Sequence, residues 1–245
     1  VAKPDFIELI PGERIPILYE DRSVLALDKP RHWMLVPFNW QGTNRNLHAA
    51  LVSSIASGDF WARSRGLRFL RHVHRLDADT TGVLLCVKSQ GALEPFTRLF
   101  ESRQMEKTYL AVVLGKPKQT EWSCRLKLAP DPKQVGRIKV DARHGKDAET
   151  HFKMLETRGE RTLVEAHPRT GRTHQLRVHL AAEGLPILGD PLYGKGSDPS
   201  GALALRAVSL AYRDPFTRRP IRIQAETGTF LNEFGFAAKP ESRAT

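Results

Sequence analysis

Two rhythms of apolar and polar positions run along this 245-residue chain. Continuous apolar runs bounded by turn residues predict buried strands, and apolar residues three and four apart predict helices. The stretch "SVLALDKP" (23–30) is a short strand ended by Pro30. "GVLLCVK" (82–88) is a buried strand, and "KTYLAVVLG" (107–115) another, with Tyr109 early in it. In "TNRNLHAALVSSIA" (43–56), Leu47, Leu51 and Ile55 mark one helical face, and Gly58 is a plausible stop. "PFTRLFESRQ" (95–104) carries Phe96, Leu99 and Phe100 at helical spacing. Pro95 would break a longer helix, so it is expected in the first turn.

Downstream, "AETHFKMLE" (148–156) and "RTLVEAHP" (161–168) predict a β pair joined by a turn holding Gly159. "RTHQLRVHLAAEG" (172–184) predicts a helix with Leu176 and Leu180 on one face, Thr173 as N-cap and Gly184 as stop. "LRAVSLAYRDPFTRRPIRIQAE" adds two strands around a turn. Strands outnumber helices and include a hairpin, which is an α+β pattern rather than regular βαβ winding. No repeat, low-complexity tract or composition break divides the chain. A single domain is expected over residues 1–236, with a polar tail at 237–245.

Composition narrows the class. The hydrophobic fraction of 40% is ordinary for a globular protein, and the longest apolar runs are far too short to cross a bilayer. The N-terminal "VAKPDFIELIPGERIP" lacks the apolar core of a signal peptide. Cys86 and Cys124 make neither a disulfide framework nor a zinc knuckle. The expectation is a cytoplasmic, monomeric protein with no membrane partner. Charge adds more: 38 Lys and Arg against 27 acids give +11, a surplus that favours an anionic partner, nucleic acid first. The surplus is clustered. "WARSRGLRFLRHVHR" (61–75) holds Arg63, Arg65, Arg68, Arg71 and Arg75 with no acid, and "HPRTGRTHQLRVH" (167–179) holds Arg169, Arg172, His174 and Arg177, again with none. Both stretches suit a phosphate-facing surface.

Candidate chemistry is sparse. Arg177 falls one turn into the predicted helix, beside its apolar face, where an arginine is partly buried and wants a carboxylate. Asp77, in "HRLDADTTG" (74–82), is the candidate. An arginine within a few ångström favours the ionised carboxylate, a usable nucleophile or base. The competing reading of "DADTTG" is a turn whose Asp caps amides before a strand. His72 and His74, or His174 and His179, are not completed by cysteines or acids into a metal site. There is no glycine-rich phosphate loop and no G-x-S-x-G elbow.

These residues converge on a resemblance. "HRLDADTTGVLLCVKS" is similar to the H-R-L-D-x-x-T-S-G signature of the RluA family of pseudouridine synthases. "YEDRSVLALDKP", "EKTYLAVVLG", "GKDAETHFKMLE" and "RTGRTHQLRVHLAAEGLPILGDPLYG" resemble its other blocks in the same order, over roughly Ile17 to Ala225. Departures are local: the family's Lys-Pro is usually followed by a small residue and Gly, whereas "KPRHWM" follows it with Arg31 and carries bulky His32 and Trp33, Thr81 replaces Ser, and Arg206 replaces His. No room is seen before Ile17 for the small RNA-binding module of many relatives. The resemblance implies a mixed, largely antiparallel sheet with helices and loops around a cleft. It implies isomerisation of uridine to pseudouridine in rRNA or tRNA, without cofactor or metal. It carries Asp77 over as the essential aspartate, Tyr109 as packing against the target base, Arg177 as the partner of Asp77, and Arg75 as filling the stack left by a flipped nucleotide. Arg65, Arg68, Arg71, Arg169, Arg172 and His174 complete the expected RNA-facing set. A catalytically silent RNA-binding relative is the alternative. The RNA and the uridine are not written in the sequence.

Overall fold

The structure is a computed structural model and describes residues 2–35, 45–194 and 201–236. In chain order the elements are β1 (Phe6–Ile10), β2 (Glu13–Glu20), β3 (Val24–Lys29), α1 (Leu47–Ala56), α2 (Phe60–Arg63), β4 (Arg71–His72), β5 (Thr81–Val87), α3 (Gln90–Glu101) and β6 (Glu106–Leu114). There follow β7 (Glu121–Cys124), β8 (Leu128–Pro130), β9 (Ile138–Val140), β10 (Thr150–Arg158), β11 (Arg161–Pro168), α4 (Gln175–Ala182), β12 (Leu205–Arg213), β13 (Pro220–Gln224) and α5 (Gly228–Glu233). Among the described residues, eleven strands form one sheet in the order β1-β2-β3-β5-β12-β6-β11-β10-β7, with β4 added to β5 and β13 to β12. Strands β8 and β9 form a separate hairpin. Pairing is antiparallel except between β5 and β12. The fold is the expected α+β arrangement with a mixed, mostly antiparallel sheet.

The continuous apolar run of β5 has a simple cause: both faces of the strand are covered. Leu84 and Cys86 pack into a core with Leu47 and Leu51 of α1 and Trp61 of α2. Val83, Leu85 and Val87 pack on the other side with Ala92, Phe96 and Leu99 of α3. A strand buried on both faces loses the alternation of a half-exposed one. Gly82 permits the parallel contact at its start. Its φ is +106°, and a Cβ there would lie 2.0 Å from the Ala207 carbonyl oxygen on β12.

Two expectations about helices need correction. Helix α3 begins at Gln90, not at Pro95, after a Ser89 side chain that accepts from the Ala92 amide. Pro95 therefore lies inside the helix and removes one backbone donor. The buried stripe Ala92, Phe96 and Leu99, which needs the earlier start, outweighs that loss. Helix α4 is capped by His174, not Thr173. Its first turn is held by Gln175, whose side chain accepts from the Arg172 amide at 3.0 Å. The tail at 237–245, and residues 43 and 44 of the first predicted helical stretch, lie outside the described residues.

Candidate active site

The sheet order brings three distant segments together. The loop between β4 and β5 carries Asp77, β6 lies three places along the sheet from β3 and carries Tyr109, and α4 follows β11 and carries Arg177. All three residues line one cavity of about 400 Å³. Arg177 is buried and uses its guanidinium in two directions. Its Nε and Nη2 each donate to Asp190 at 2.8 Å, and its Nη1 donates to Asp77 Oδ2 at 3.2 Å. The expected Arg177–Asp77 pair is present, but its stronger anchor, Asp190, was missed. Asp190 is wholly buried, and its Oδ1 also accepts the amides of Leu192 and Tyr193. Gly189, at φ +71°, makes this turn possible: a Cβ there would meet the Ala202 carbonyl oxygen at 1.9 Å. Burial opposes the Arg177 charge, but the carboxylates of Asp190 and Asp77 outweigh it and raise the pKa above the usual arginine value. Burial likewise opposes the Asp190 charge, and Arg177 reverses the effect, so Asp190 is held below the usual carboxylate range.

Asp77 is mostly buried, and no described residue donates to its Oδ1. The loop that presents it is fixed from behind by Lys29. This lysine is fully buried, and its Nζ donates to the carbonyls of Ala78, Pro30 and Thr80 at 2.7, 2.9 and 3.0 Å. The capping role for the Asp77 side chain is not what forms: the Thr80 amide bonds to its backbone carbonyl. Burial lowers the Lys29 pKa to about 7, against the pull of Asp79 and Asp77. In the unfolded chain its value is the ordinary 10.5. Between those two pH values the unfolded state binds more protons, so the Lys29 contribution to stability rises with pH and is flat below 7. Relative to Lys29→Met, wild type should gain up to about 1.4 kcal/mol per pH unit through that window. Urea unfolding of both proteins at pH 6, 8 and 9 measures it. A difference that does not change with pH would mean the buried amine keeps its proton.

Tyr109 sits at the centre of the sheet, opposite Ala166 on β11 and Ala207 on β12. Burial, and then the Asp77 charge, raise the pKa of its phenol, which stays protonated at neutral pH. Arg75, Arg103, Lys107 and Arg172 also line the cavity, whose acids are Asp77 and Glu101. Lys107, unremarked in the sequence, donates to the Thr170 carbonyl at 3.1 Å, and burial lowers its pKa to about 8. His174 also lines the cavity.

The structure does not gather every expected residue here. Arg65 is a correction: its side chain is buried, with Nε 2.8 Å from Glu20 and further bonds to the carbonyls of Trp61 and Pro4. It braces the N-terminal strands rather than facing a phosphate. Arg68, Arg71 and Arg169 are exposed but do not line the cavity. Arg206 holds the sheet together, donating to both carboxylate oxygens of Asp28 across β5. His179, wholly buried, is bonded to Thr150 and to the Leu126 carbonyl. No cluster of three possible metal ligands exists among the described residues, and none of their helices is long and apolar enough to cross a membrane.

Comparison with known proteins bears on this geometry. Residues 24–182 match the family model described as RNA pseudouridylate synthase. The chain is 35% identical over 227 residues to ribosomal large subunit pseudouridine synthase C of Vibrio vulnificus, covering 89% of this chain and 67% of that protein. It is 37% identical over 202 residues to ribosomal large subunit pseudouridine synthase D of Nitrosomonas europaea, covering 79% and 55%. The Escherichia coli synthase C is 36% identical, covering 85% and 65%. The chain thus spans between about half and two thirds of these relatives' lengths. Among solved structures, human RNA pseudouridylate synthase domain containing 1 has the same fold, with a TM-score of 0.68 at 24% identity, covering 89% of this chain and 86% of that one.

Proposed function

Because this chain belongs to the RNA pseudouridylate synthase family, we propose that it isomerises uridine to pseudouridine in RNA, with ribosomal RNA of the large subunit as the favoured substrate class. The observation that carries the reading is the Asp77 carboxylate, tied by one oxygen to a buried arginine and lining a cavity with Tyr109. The bond from ribose to N1 of uracil breaks, a bond to C5 forms, and the C5 proton leaves while N1 gains one. Asp77 is the group that attacks or abstracts, Arg177 holds it in place, and Tyr109 packs on the base. A base can reach this cavity only out of its stack, at an expense of a few kcal/mol that a planar Arg75 guanidinium recovers in part. The names of the bacterial relatives support the ribosomal substrate.

Mapping pseudouridines in RNA from cells with and without the gene tests the substrate. Loss of one or more positions in large-subunit RNA is expected, and an unchanged map contradicts the reading.

Binding should follow the cavity rim rather than the whole basic stretch. Replacing Arg103 and Arg172, two exposed arginines of the cavity lining, together by Gln should lower the slope of log affinity against log salt by about 1.5, since each phosphate contact contributes about 0.7 to 0.9. Arg65→Gln should leave the slope alone and destabilise the fold by about 2–3 kcal/mol in urea unfolding, because Glu20 loses a buried partner. The opposite pattern would put RNA on the Arg65 side.

A further inference from the structure

His174 caps α4 in the left-handed conformation, at φ 54° and ψ 19°, yet makes no side-chain cap. A non-glycine residue held there has its side-chain direction fixed by its surroundings. One side of the ring is set by Tyr193, whose hydroxyl lies 2.9 Å from Nδ1. That hydroxyl accepts the Ile138 amide at 2.8 Å, and its own proton has no other acceptor among the described residues. With the phenol donating to Nδ1, a neutral imidazole carries its proton on Nε2. Burial first, with Arg177 and Arg75 offsetting Asp77 and Asp190, lowers the pKa and keeps the ring neutral. Nε2 lies 3.9 Å from Asp77 Oδ2, beyond hydrogen-bond reach, and no described residue accepts from it. The result is an oriented donor on the cavity wall, beside the reactive carboxylate, with no acceptor among the described residues.

We propose that His174 gives its Nε2 proton as a hydrogen bond to a carbonyl oxygen of the uracil seated beside Asp77. The inference rests on the synthase reading. As the ribose bond to N1 breaks, the electron pair moves onto the base and spreads to its carbonyl oxygens, where a fixed donor acts most strongly. The tetrad Ile138 amide, Tyr193, His174 and base carbonyl then runs from the β8–β9 hairpin into the site, and Tyr193 is a positioning residue.

Nitrogen NMR of the free protein tests the tautomer without RNA: His174 Nε2 should be protonated and Nδ1 bare, and Tyr193→Phe should mix the two forms. Protonated Nδ1 in wild type overturns the proposal. Single-turnover rates on an in vitro transcript of large-subunit ribosomal RNA test the contact. His174→Ala should lose about tenfold to a hundredfold in rate with RNA affinity within about twofold. His174→Gln, which offers an amide donor, should recover part. Equal loss in both variants, or a loss confined to affinity, overturns the proposal. Transcripts made with 2-thiouridine or 4-thiouridine locate the acceptor: one should slow wild type by a larger factor than it slows His174→Ala, and equal factors on both transcripts would put the acceptor off the base. If wild type converts no uridine at all, the synthase reading fails, and the tautomer measurement stands apart from it.

Discussion

Asp77→Asn is expected to abolish pseudouridine formation, by at least about a thousandfold in single-turnover rate, while RNA affinity stays within about twofold. Asparagine keeps the size of the side chain and can still accept from Arg177 Nη1, which lies 3.2 Å from Asp77 Oδ2. What it removes is the charge needed to attack or abstract. Affinity is spared because it rests on cations at the cavity rim and on the flipped base, not on one carboxylate. Asp77→Glu is the sharper variant. It keeps the charge but moves the carboxylate by one methylene, on a loop whose Ala78 and Thr80 carbonyls are pinned by Lys29. Misplacement of that size should also lose most of the rate. Filter binding and single-turnover conversion, measured side by side, separate the two quantities. A fully active Asp77→Asn protein would remove Asp77 from the chemistry.

Arg177→Lys is expected to lose at least about a hundredfold in rate while the protein still folds. The wild-type side chain spends Nε and Nη2 on Asp190 and reaches Asp77 with Nη1. A lysine ammonium is one point charge and cannot bridge two carboxylates in that planar geometry. Asp190→Asn tests the other end. It leaves a buried guanidinium short of one negative charge, which should lower stability by about 3 kcal/mol. It also frees Arg177 to swing, so the rate should fall as well, in a folded fraction that circular dichroism can verify. The Arg177→Lys and Asp190→Asn losses should combine to less than their sum, because both act through the same anchor. Full additivity would mean that Asp190 and Arg177 serve separate purposes.

Parts of this arrangement were legible in the sequence, and the limits have physical causes. The buried strands β5 and β6 announced themselves as unbroken apolar runs, and α1 by leucines four apart. The Asp77–Arg177 pair followed from an arginine placed at the edge of an apolar helical face. Asp190 did not, because an aspartate in "LGDPLYG" looks like a turn residue, and its burial depends on how the chain folds back 13 residues after Arg177. The role of Lys29 is equally hidden, since nothing local shows that three carbonyls from two loops close over it. Arg65 was misread for the converse reason: its acid, Glu20, lies 45 residues away and pairs only once β2 is in the sheet. Local charge clustering therefore overstated the RNA-facing surface, and only a tertiary contact separates a structural arginine from a phosphate-binding one. Pro95 shows tertiary packing overriding a local rule, as the stripe that α3 buries against β5 fixes where the helix begins.

Tritium release is the most direct measurement of the central claim. A large-subunit ribosomal RNA transcript carrying tritium at C5 of its uridines is incubated with excess protein. Forming the carbon–carbon glycosidic bond expels the C5 hydrogen, so wild type should release tritium to water in an amount equal to the pseudouridine recovered from the RNA, and Asp77→Asn should release none. No release by wild type, or equal release by wild type and Asp77→Asn, would contradict the account.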